Sequence, residues 1–340
     1  MTNIHGGDWA SYETEHGTMP LDFSANISPL GVPDGVYKAL RVASADVDRY
    51  PDPLCRELTA ALAAYENVPE EWILCGNGAA DLIYRVLQTL HPHNAVVPAP
   101  TFTEYESVLR SLHCNIHYYQ ADRVPDIPVQ TGLVLLCEPN NPTGTRLGTD
   151  AINQICVAAS KAHAYVLMDE TFADFLTPEE REYPKEFLEY NPNLILLKAF
   201  TKTYAMAGVR LGYLLCSSGE LVEAFRNAGA PWSVSHLAQK AGVAALEDYD
   251  YLDRLRTLVE TERPYLENGL LELGFRVVRS HANFILFQGP EGLEQKLREK
   301  GILIRCCRDF KGLDSTWYRI SVRTRADNHK LLSALQEVLA

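Results

Sequence analysis

The chain is 340 residues long with a formal net charge of −13, and 46% of its residues are hydrophobic while 22% are charged. This composition is ordinary for a soluble globular protein of one or two domains, and the acidic balance argues against nucleic acid or an anionic membrane as a partner. No apolar run reaches the roughly 18 residues that a membrane helix needs, and residues 1–7 lack a signal-peptide pattern, so we expect a cytoplasmic protein. The eight cysteines include no Cys-x-x-Cys pair, which favours reduced thiols over a zinc or iron–sulfur site.

The first part of the chain, residues 1–45, has no regular hydrophobic period and is rich in proline and glycine. We interpret it as an extended N-terminal arm with one short helix near residues 36–42. A turn at residues 49–53 holds two prolines, and an amphipathic helix is predicted after it, at residues 54–65.

The middle of the chain alternates short apolar runs with helical patterns. The runs predict seven strands, at residues 72–75, 95–97, 116–119, 133–137, 165–168, 194–198 and 211–216. Such an alternation is typical of a mostly parallel sheet that is covered on both faces. The expected fold class is therefore α/β, with residues 46–235 as the large domain.

The last third of the chain has a different pattern. It is helical from Gly219 through Glu272, and strand patterns follow at residues 275–278, 283–287, 302–305 and 318–322. Helices are predicted at residues 293–299 and 327–339. We therefore expect a smaller α+β domain at residues 236–340, joined by the N-terminal arm.

Several polar residues fall where the predicted strands of the large domain end. Gly76-Asn77-Gly78 closes the first strand and opens a helix, so its backbone N–H groups could cradle a phosphate. Asn141, Asp169 and Lys202 follow three later strands. Because active residues of such sheets lie in loops beyond the carboxyl ends of the strands, we expect these residues at one site.

Lys202 and Arg210 carry the strongest chemical signal. A lysine becomes an imine-forming nucleophile in a desolvated pocket or near another cation, and Arg210 offers a positive charge and a rigid fork for a phosphate. Each feature alone also fits an ordinary role. Residues 76–78 and 139–144 could be plain turns, Asp169 a helix N-cap, and Lys202 an exposed lysine.

Taken in order, these elements resemble the fold-type I pyridoxal-phosphate enzymes of the aminotransferase superfamily. The motifs are Asn-Asn-Pro-Thr-Gly at 140–144, Asp-Glu at 169–170 and Thr-Lys…Gly-Val-Arg-Leu-Gly at 201–212. The resemblance covers essentially the whole chain. Segments at both ends resemble more narrowly the threonine-phosphate decarboxylases, relatives of the histidinol-phosphate aminotransferases. These segments are His5-Gly6-Gly7 and residues 22–27, 49–51, 231–233, 302–305, 312–315 and 318–320.

The resemblance implies a site for pyridoxal 5′-phosphate. Lys202 would attach the cofactor covalently, Asp169 would pair with the pyridine nitrogen, and Asn141 would bond the ring oxygen. The other implied contacts are Thr201, Arg210 and the amides of Gly78 and Ala79 at the cofactor phosphate, Phe102 or Tyr105 stacked on the ring, and Tyr50 from the neighbouring subunit of a homodimer.

The resemblance also implies a small phosphorylated amino acid as the substrate. Arg319 would clamp its carboxylate. The remaining substrate contacts implied are His5, the amide of Gly6, Asn26, Asn141 and Arg305. A phosphoamino acid has two anionic groups, and two separated arginines with backbone donors match both. Alternatively, Arg305 and Arg319 could be structural ion-pair residues and His5 could lie on a frayed arm.

Two residues depart from the pattern of many aminotransferases. Phe172 replaces a tyrosine that contacts the ring oxygen, and Ala199 replaces a serine or threonine that helps to hold the phosphate. Each loss removes one hydrogen bond of about 1 kcal/mol. We therefore expect neither to prevent cofactor binding.

The implied reaction is α-decarboxylation of L-threonine O-3-phosphate to (R)-1-aminopropan-2-yl phosphate, a step of cobalamin biosynthesis. L-Serine phosphate is a possible second substrate, because one methyl group gives only about 1–3 kcal/mol of discrimination. The alternative reaction is transamination of histidinol phosphate by the same set of residues. A ligand-binding regulator without turnover is a third hypothesis, and no basic patch for DNA accompanies it.

Overall fold

The computed structural model describes residues 5–339, apart from the side chains of residues 182 and 183, so residues 1–4 of the predicted arm lie outside the described part. The first elements in chain order are α1 (Trp9–His16), β1 (Leu21–Asp22), α2 (Asp34–Ala43), α3 (Arg56–Glu66), β2 (Ile73–Gly76), α4 (Gly78–Leu90), β3 (Asn94–Ala99), α5 (Thr103–Ser111), β4 (Asn115–Gln120), β5 (Leu133–Cys137), α6 (Thr149–Lys161), β6 (Tyr165–Asp169) and α7 (Pro178–Glu186). The others are β7 (Leu194–Ala199), α8 (Phe200–Thr203), β8 (Gly212–Leu215), α9 (Gly219–Asn227), α10 (His236–Leu246), α11 (Tyr251–Glu272), β9 (Arg276–Val278), β10 (Phe284–Gln288), α12 (Leu293–Glu299), β11 (Ile302–Leu303), β12 (Arg305–Cys306), β13 (Trp317–Ser321) and α13 (Arg325–Leu339).

The seven predicted strands of the large domain form one sheet, in the order β2-β8-β7-β6-β5-β3-β4. Strand β8 runs antiparallel to both of its neighbours, and the other pairs are parallel. The mostly parallel α/β sheet is therefore confirmed. Side chains of successive residues point to opposite faces of a sheet. Accordingly, Leu133 and Leu135 pack in one core cluster while Val134 and Leu136 pack in another, so both faces are covered.

The C-terminal part forms a four-stranded antiparallel sheet in the order β12-β13-β10-β9. Helices α11, α12 and α13 contribute to its hydrophobic core. The N-terminal arm joins this part, because Leu21 and Asp22 of β1 pair in parallel with β11 and Phe23 is buried in the same core. The exact domain boundaries at residues 45 and 235 stay a prediction. Within the described residues, no helix has both the length and the apolar character that a membrane crossing requires.

Three helices, α1, α7 and the single turn α8, were not predicted, and one predicted strand is divided. Helix α1 buries only Tyr12, so it has no hydrophobic period to detect. Helix α7 has a local signal, since the Thr177 hydroxyl and the Glu180 carboxylate form a capping box around Pro178. The run at residues 302–305 pairs first with β1 and then, from Arg305, with β13, so it forms β11 and β12.

Candidate active site

A cavity of about 460 Å³ lies at the carboxyl edge of the large sheet, beside residues of the arm and of the C-terminal sheet. Twelve of the predicted site residues line it, namely His5, Gly6, Asn26, Ala79, Phe102, Asn141, Asp169, Thr201, Lys202, Arg210, Arg305 and Arg319. The convergence follows from the topology, because β5, β6 and β7 are neighbours and parallel and their carboxyl ends carry Asn141, Asp169 and Lys202.

Lys202 lies in the short helix α8 directly after β7, and its carbonyl accepts a hydrogen bond of 2.9 Å from the Ser28 amide. Burial, together with the positive charges of Arg319 and Arg210, lowers the pKa of the Lys202 amine from 10.5 to about 8. A larger fraction of this amine than of an ordinary exposed lysine is therefore neutral near physiological pH. A neutral, buried amine is the form that attacks a carbonyl carbon.

Asp169 is the last residue of β6 and is 5% exposed. Its Oδ1 accepts hydrogen bonds from the Thr171 amide at 2.9 Å and the Thr171 hydroxyl at 2.5 Å, while its Oδ2 accepts one from the Tyr105 hydroxyl. Burial raises the pKa of Asp169, and these hydrogen bonds together with Lys202 oppose that rise. The carboxylate is thus held in a fixed orientation at the floor of the cavity.

Two aromatic residues were candidates for stacking on the cofactor ring, and the structure separates them. Phe102 lines the cavity, whereas Tyr105 is fully buried behind it and bonds Asp169. The Phe102 and Tyr105 rings meet edge to face, with 5.5 Å between their centroids. Phe172 also lines the cavity, so the hydroxyl that many aminotransferases have at this position is missing here.

Gly78 and Arg210 form a close contact at the start of α4. Gly78 has φ +81°, and a Cβ atom there would lie 2.7 Å from Arg210 Nη2. Gly78 is not itself among the residues that line the cavity, but the next residue, Ala79, lines it. Arg210 has φ +61°, and its Nη1 donates to the Ala207 carbonyl at 3.2 Å. A helix N-terminus with an arginine beside it is suited to bind a phosphate.

Arg319 is buried and only partly paired. Its Nη1 donates to Asn141 Oδ1 and its Nη2 donates to the Ser24 carbonyl at 3.0 Å, but its Nε has no acceptor. Burial lowers the pKa of Arg319 from 12.5 to about 10. An unpaired buried donor is costly, so an anionic ligand in the cavity would complete this site. Because Asn141 accepts through Oδ1, its Nδ2 is left as the donor.

Arg305 lies directly opposite Arg319 on the paired strands β12 and β13. Its Nη2 donates to Asp309 Oδ2 at 2.5 Å, and its guanidinium group lies 5.5 Å from the centre of the Phe310 ring. One carboxylate therefore partly neutralises two neighbouring guanidinium groups.

The arm closes one side of the cavity. His5 Nε2 lies 2.9 Å from Glu104 Oε1, and the Gly7 amide donates to the Ser24 hydroxyl at 2.8 Å. Gly6 needs to be glycine, since a Cβ atom there would lie 2.1 Å from the Ser24 carbonyl oxygen. The same carbonyl accepts from Arg319, which links the arm to the arginine pair.

The roles of Ser24 and Glu104 were not predicted, and the stacking position was left open between Phe102 and Tyr105. Ser24 had a local signal, because its amide and hydroxyl both donate to Asp22 two residues earlier, a common turn motif. Glu104 is 99 residues from His5, so no local pattern could pair them. Tyr50 lies outside the cavity, is 81% exposed and stacks on Trp232 at 4.8 Å. Its predicted place in a neighbouring subunit stays a prediction.

The residues present fit pyridoxal 5′-phosphate. The Lys202 amine with its lowered pKa, the buried Asp169 carboxylate, Ala79 at the start of α4 with Arg210, and the Phe102 ring line one cavity. Arg319 Nε is buried without an acceptor, so it is a further hydrogen-bond donor for an anionic substrate.

Comparisons with known proteins agree with this chemistry. The family model for aminotransferase class I and II matches residues 18–335. The chain is 35% identical to the threonine-phosphate decarboxylase of Salmonella typhimurium, with 100% of this chain and 97% of that protein covered. It is 34% identical to histidinol-phosphate aminotransferase 2 of Archaeoglobus fulgidus, with 95% of this chain and 96% of that protein covered.

Among solved structures, the histidinol-phosphate aminotransferase from Clostridium acetobutylicum superposes with a TM-score of 0.85 at 26% identity, over 94% of this chain and 98% of that chain. The fold-type I architecture predicted from the motifs is thereby confirmed. The chain belongs to the aminotransferase class I and II family, whose members depend on pyridoxal 5′-phosphate.

Proposed function

We propose that this protein decarboxylates L-threonine O-3-phosphate to (R)-1-aminopropan-2-yl phosphate, within cobalamin biosynthesis. The observation that carries the proposal is the pair Arg305 and Arg319, which face one cavity from directly opposite positions on β12 and β13. A phosphoamino acid has a carboxylate and a phosphate on neighbouring carbons, and two arginines are suited to hold both. The 35% identity to a threonine-phosphate decarboxylase supports the same reading.

In the proposed cofactor site, Lys202 would attach covalently to the carbonyl carbon of the cofactor. Asp169 would pair with the pyridine nitrogen, and the Asn141 amide nitrogen would donate a hydrogen bond to the ring oxygen. Phe102 is assigned to the ring face. Pyridoxal phosphate supplies an electron sink for the bond that breaks at the substrate α-carbon. The cofactor phosphate is assigned to Thr201, Arg210 and the backbone N–H groups of Gly78 and Ala79.

For the substrate, we assign the carboxylate to Arg319, whose Nε is buried without an acceptor. The phosphate is assigned to Arg305 with His5, the Gly6 amide and Asn26, which line the same cavity. Arg319 is held from two sides, by Asn141 and by the Ser24 carbonyl. A carboxylate bound to such a fixed guanidinium group keeps one orientation.

That orientation decides the reaction. Arg319 would decide which bond at the substrate α-carbon is aligned with the electron sink that pyridoxal phosphate would supply. If Arg319 aligned the bond to the carboxylate, carbon dioxide would be lost, and the protonated Lys202 side chain would deliver a proton to the α-carbon. If the bond to the α-hydrogen were aligned, the neutral Lys202 amine would remove that hydrogen as a proton.

Transamination of histidinol phosphate is the second candidate, favoured by the 34% identity to a histidinol-phosphate aminotransferase over almost the whole chain. The deciding experiment incubates the purified protein and pyridoxal phosphate with threonine phosphate, without a keto acid, and follows carbon dioxide. Catalytic release would support the decarboxylase, and serine phosphate is then the comparison substrate. No release, together with amino transfer from histidinol phosphate to 2-oxoglutarate, would establish the aminotransferase.

We also propose that the protein is a homodimer. Tyr50 and Trp232 form an exposed aromatic pair, being 81% and 47% exposed, and exposed apolar surface of this kind marks interaction sites. Light scattering coupled to size-exclusion chromatography tests this assembly. A monomer with full activity would contradict the expected contribution of Tyr50 from a partner.

A further inference from the structure

Glu138 is a buried carboxylate that the proposed reaction does not use. It directly follows β5 and is 4% exposed. Burying a carboxylate costs free energy unless hydrogen bonds or an opposite charge compensate it. The partners of Glu138 therefore indicate which part of the chain this residue holds.

The Glu138 side chain joins the two ends of the loop that carries Asn141. The Leu147 amide donates to both carboxylate oxygens, at 3.1 Å each. Arg146 Nε lies 3.4 Å from Glu138 Oε1. The Glu138 amide donates to the Asp169 carbonyl at 2.9 Å. This one residue thus closes the loop of residues 139–147 and ties it to the end of β6.

Hydrogen bonds within the loop connect this closure to Asn141. The Asn140 amide donates to the Thr145 carbonyl at 2.9 Å, and the Gly144 amide donates to the Asn140 carbonyl at 2.6 Å. Asn141 Oδ1 accepts from Arg319 Nη1 inside the cavity. The place of the Asn141 side chain therefore depends on the closed shape of the loop.

We propose that Glu138 is a positioning residue, which holds the loop of residues 139–147 closed so that Asn141 can bond Arg319 and the ring oxygen of the cofactor at the same time. The inference rests on the proposed contact between Asn141 and that ring oxygen. Glu138 itself is not among the residues that line the cavity, so it acts through Asn141.

The hydrogen bond from Asn141 has an effect that can be measured on the bound cofactor. A donor to the ring oxygen withdraws electron density from it, so the oxygen holds the proton that it shares with the Lys202 nitrogen less tightly. Without this donor, the shared proton is lost only at a higher pH. The pH midpoint of the cofactor absorbance band therefore reports whether Asn141 is in place, and a general loss of stability does not move it.

The test follows this band in the cofactor-loaded protein over the pH range in which circular dichroism shows the folded state. Asn141→Ala should raise the midpoint by about 1 pH unit, the size expected for a hydrogen bond to a charged group. Glu138→Ala should shift the midpoint in the same direction. The double variant should shift it no further than Asn141→Ala does, because Glu138 acts through Asn141.

Two further variants and a control separate positioning from stability. Glu138→Gln keeps an oxygen that accepts from the Leu147 amide, so its midpoint should stay close to that of the unmodified protein. Glu138→Asp has a shorter side chain, should behave as Glu138→Ala does, and serves if the alanine variant does not fold. Glu262→Ala is the matched control and should not move the midpoint. Glu262 is also buried and accepts from Asn328 Nδ2 at 3.0 Å, but it belongs to α11 and does not line the cavity.

The outcomes distinguish this inference from the proposed cofactor site. An unchanged midpoint in Glu138→Ala and Glu138→Asp, with a raised midpoint in Asn141→Ala, would overturn the inference alone. Additive shifts in the double variant would also overturn it, since Glu138 would then act independently of Asn141. An unchanged midpoint in Asn141→Ala would overturn both the inference and the proposed contact of Asn141 with the ring oxygen.

Discussion

Arg305 and Arg319 lie directly opposite each other on β12 and β13, and both guanidinium groups line the proposed active site. Like charges at directly opposite positions destabilise a strand pair. Asp309 pairs with Arg305, but Arg319 keeps one buried Nε without an acceptor. The pair therefore fits the substrate proposed above, which has two anionic groups.

The first prediction concerns the selectivity of these arginines. Charge-assisted hydrogen bonds contribute about 1.5–3 kcal/mol, so Arg305→Met should raise KM for threonine phosphate by about 10- to 100-fold. Arg319→Ala should weaken the binding of every substrate that has a carboxylate, whether or not the substrate is phosphorylated. Arg308→Met is the control, because Arg308 is exposed and pairs with Glu294 at 2.6 Å outside the cavity. Unchanged affinity in Arg319→Ala would place the carboxylate clamp elsewhere.

The second prediction concerns the stability of the cofactor-free protein. The pKa of Lys202 is lowered from 10.5 to about 8 by burial and two arginines. Between those pH values the unfolded chain holds more protons than the folded one, so the free energy of unfolding should rise with pH from about 8 to 10.5. Below pH 8 the folded and unfolded chains both hold this proton, so the full free-energy cost of burying the charged Lys202 side chain is present.

Lys202→Met should therefore raise the free energy of unfolding at pH 7 by about 1–3 kcal/mol, a range that allows for water in the cavity next to the amine. The same variant should have no catalytic turnover. Denaturant titrations at several pH values check the slope, with Lys300→Met, an exposed lysine, as the control. An identical pH slope in Lys202→Met and the unmodified protein would contradict the expectation, and so would turnover by the variant.

The third prediction concerns the phosphate cradle. Gly78→Ala places a methyl group 2.7 Å from Arg210 Nη2 at φ +81°, so the affinity for pyridoxal phosphate should fall by at least tenfold. Gly274→Ala is a matched control, since Gly274 has φ +83° and nothing lies within 4 Å of its added Cβ. The Gly274→Ala variant has the same backbone strain as Gly78→Ala but lacks the clash with a neighbouring side chain. A titration of cofactor fluorescence compares the two, and equal losses in both variants would speak against a cradle at Gly78.

The fourth prediction concerns the Tyr105 hydroxyl. Tyr105→Phe removes a donor to the buried Asp169 carboxylate, which should raise the pKa of Asp169 further and weaken cofactor binding by about 1–3 kcal/mol. Tyr119→Phe is the control, because its hydroxyl bonds the Leu135 carbonyl at 3.0 Å and it does not line the cavity. If the cofactor dissociation constant of Tyr105→Phe matched that of the control, Asp169 would not depend on this hydrogen bond.

The fifth prediction concerns the arm. Deleting residues 1–7 removes the His5–Glu104 contact and the packing of Gly6 on Ser24. Binding of phosphorylated amino acids should weaken more than binding of unphosphorylated ones, as measured by KM for each pair. Equal effects on both would mean that the arm is only structural.

Much of the site could be predicted because its residues follow strand ends in a fixed order. Asn141, Asp169 and Lys202 converge in the structure as the alternation of strands and helices predicts. The separation of Phe102 from Tyr105 was not predictable. Both lie at the start of α5, and only the packing of that helix on the sheet decides which ring faces the cavity.

The sequence by itself determined the α/β architecture, the family and the cofactor chemistry, because short-range hydrophobic periods and strand-end motifs encode them locally. Only the tertiary structure decided which groups face each other across the cavity. Arg305 meets Arg319 through strand pairing, and Ser24 meets Arg319 across 295 residues of chain. Such contacts depend on how distant segments pack, and packing is a property of the whole fold rather than of any one segment.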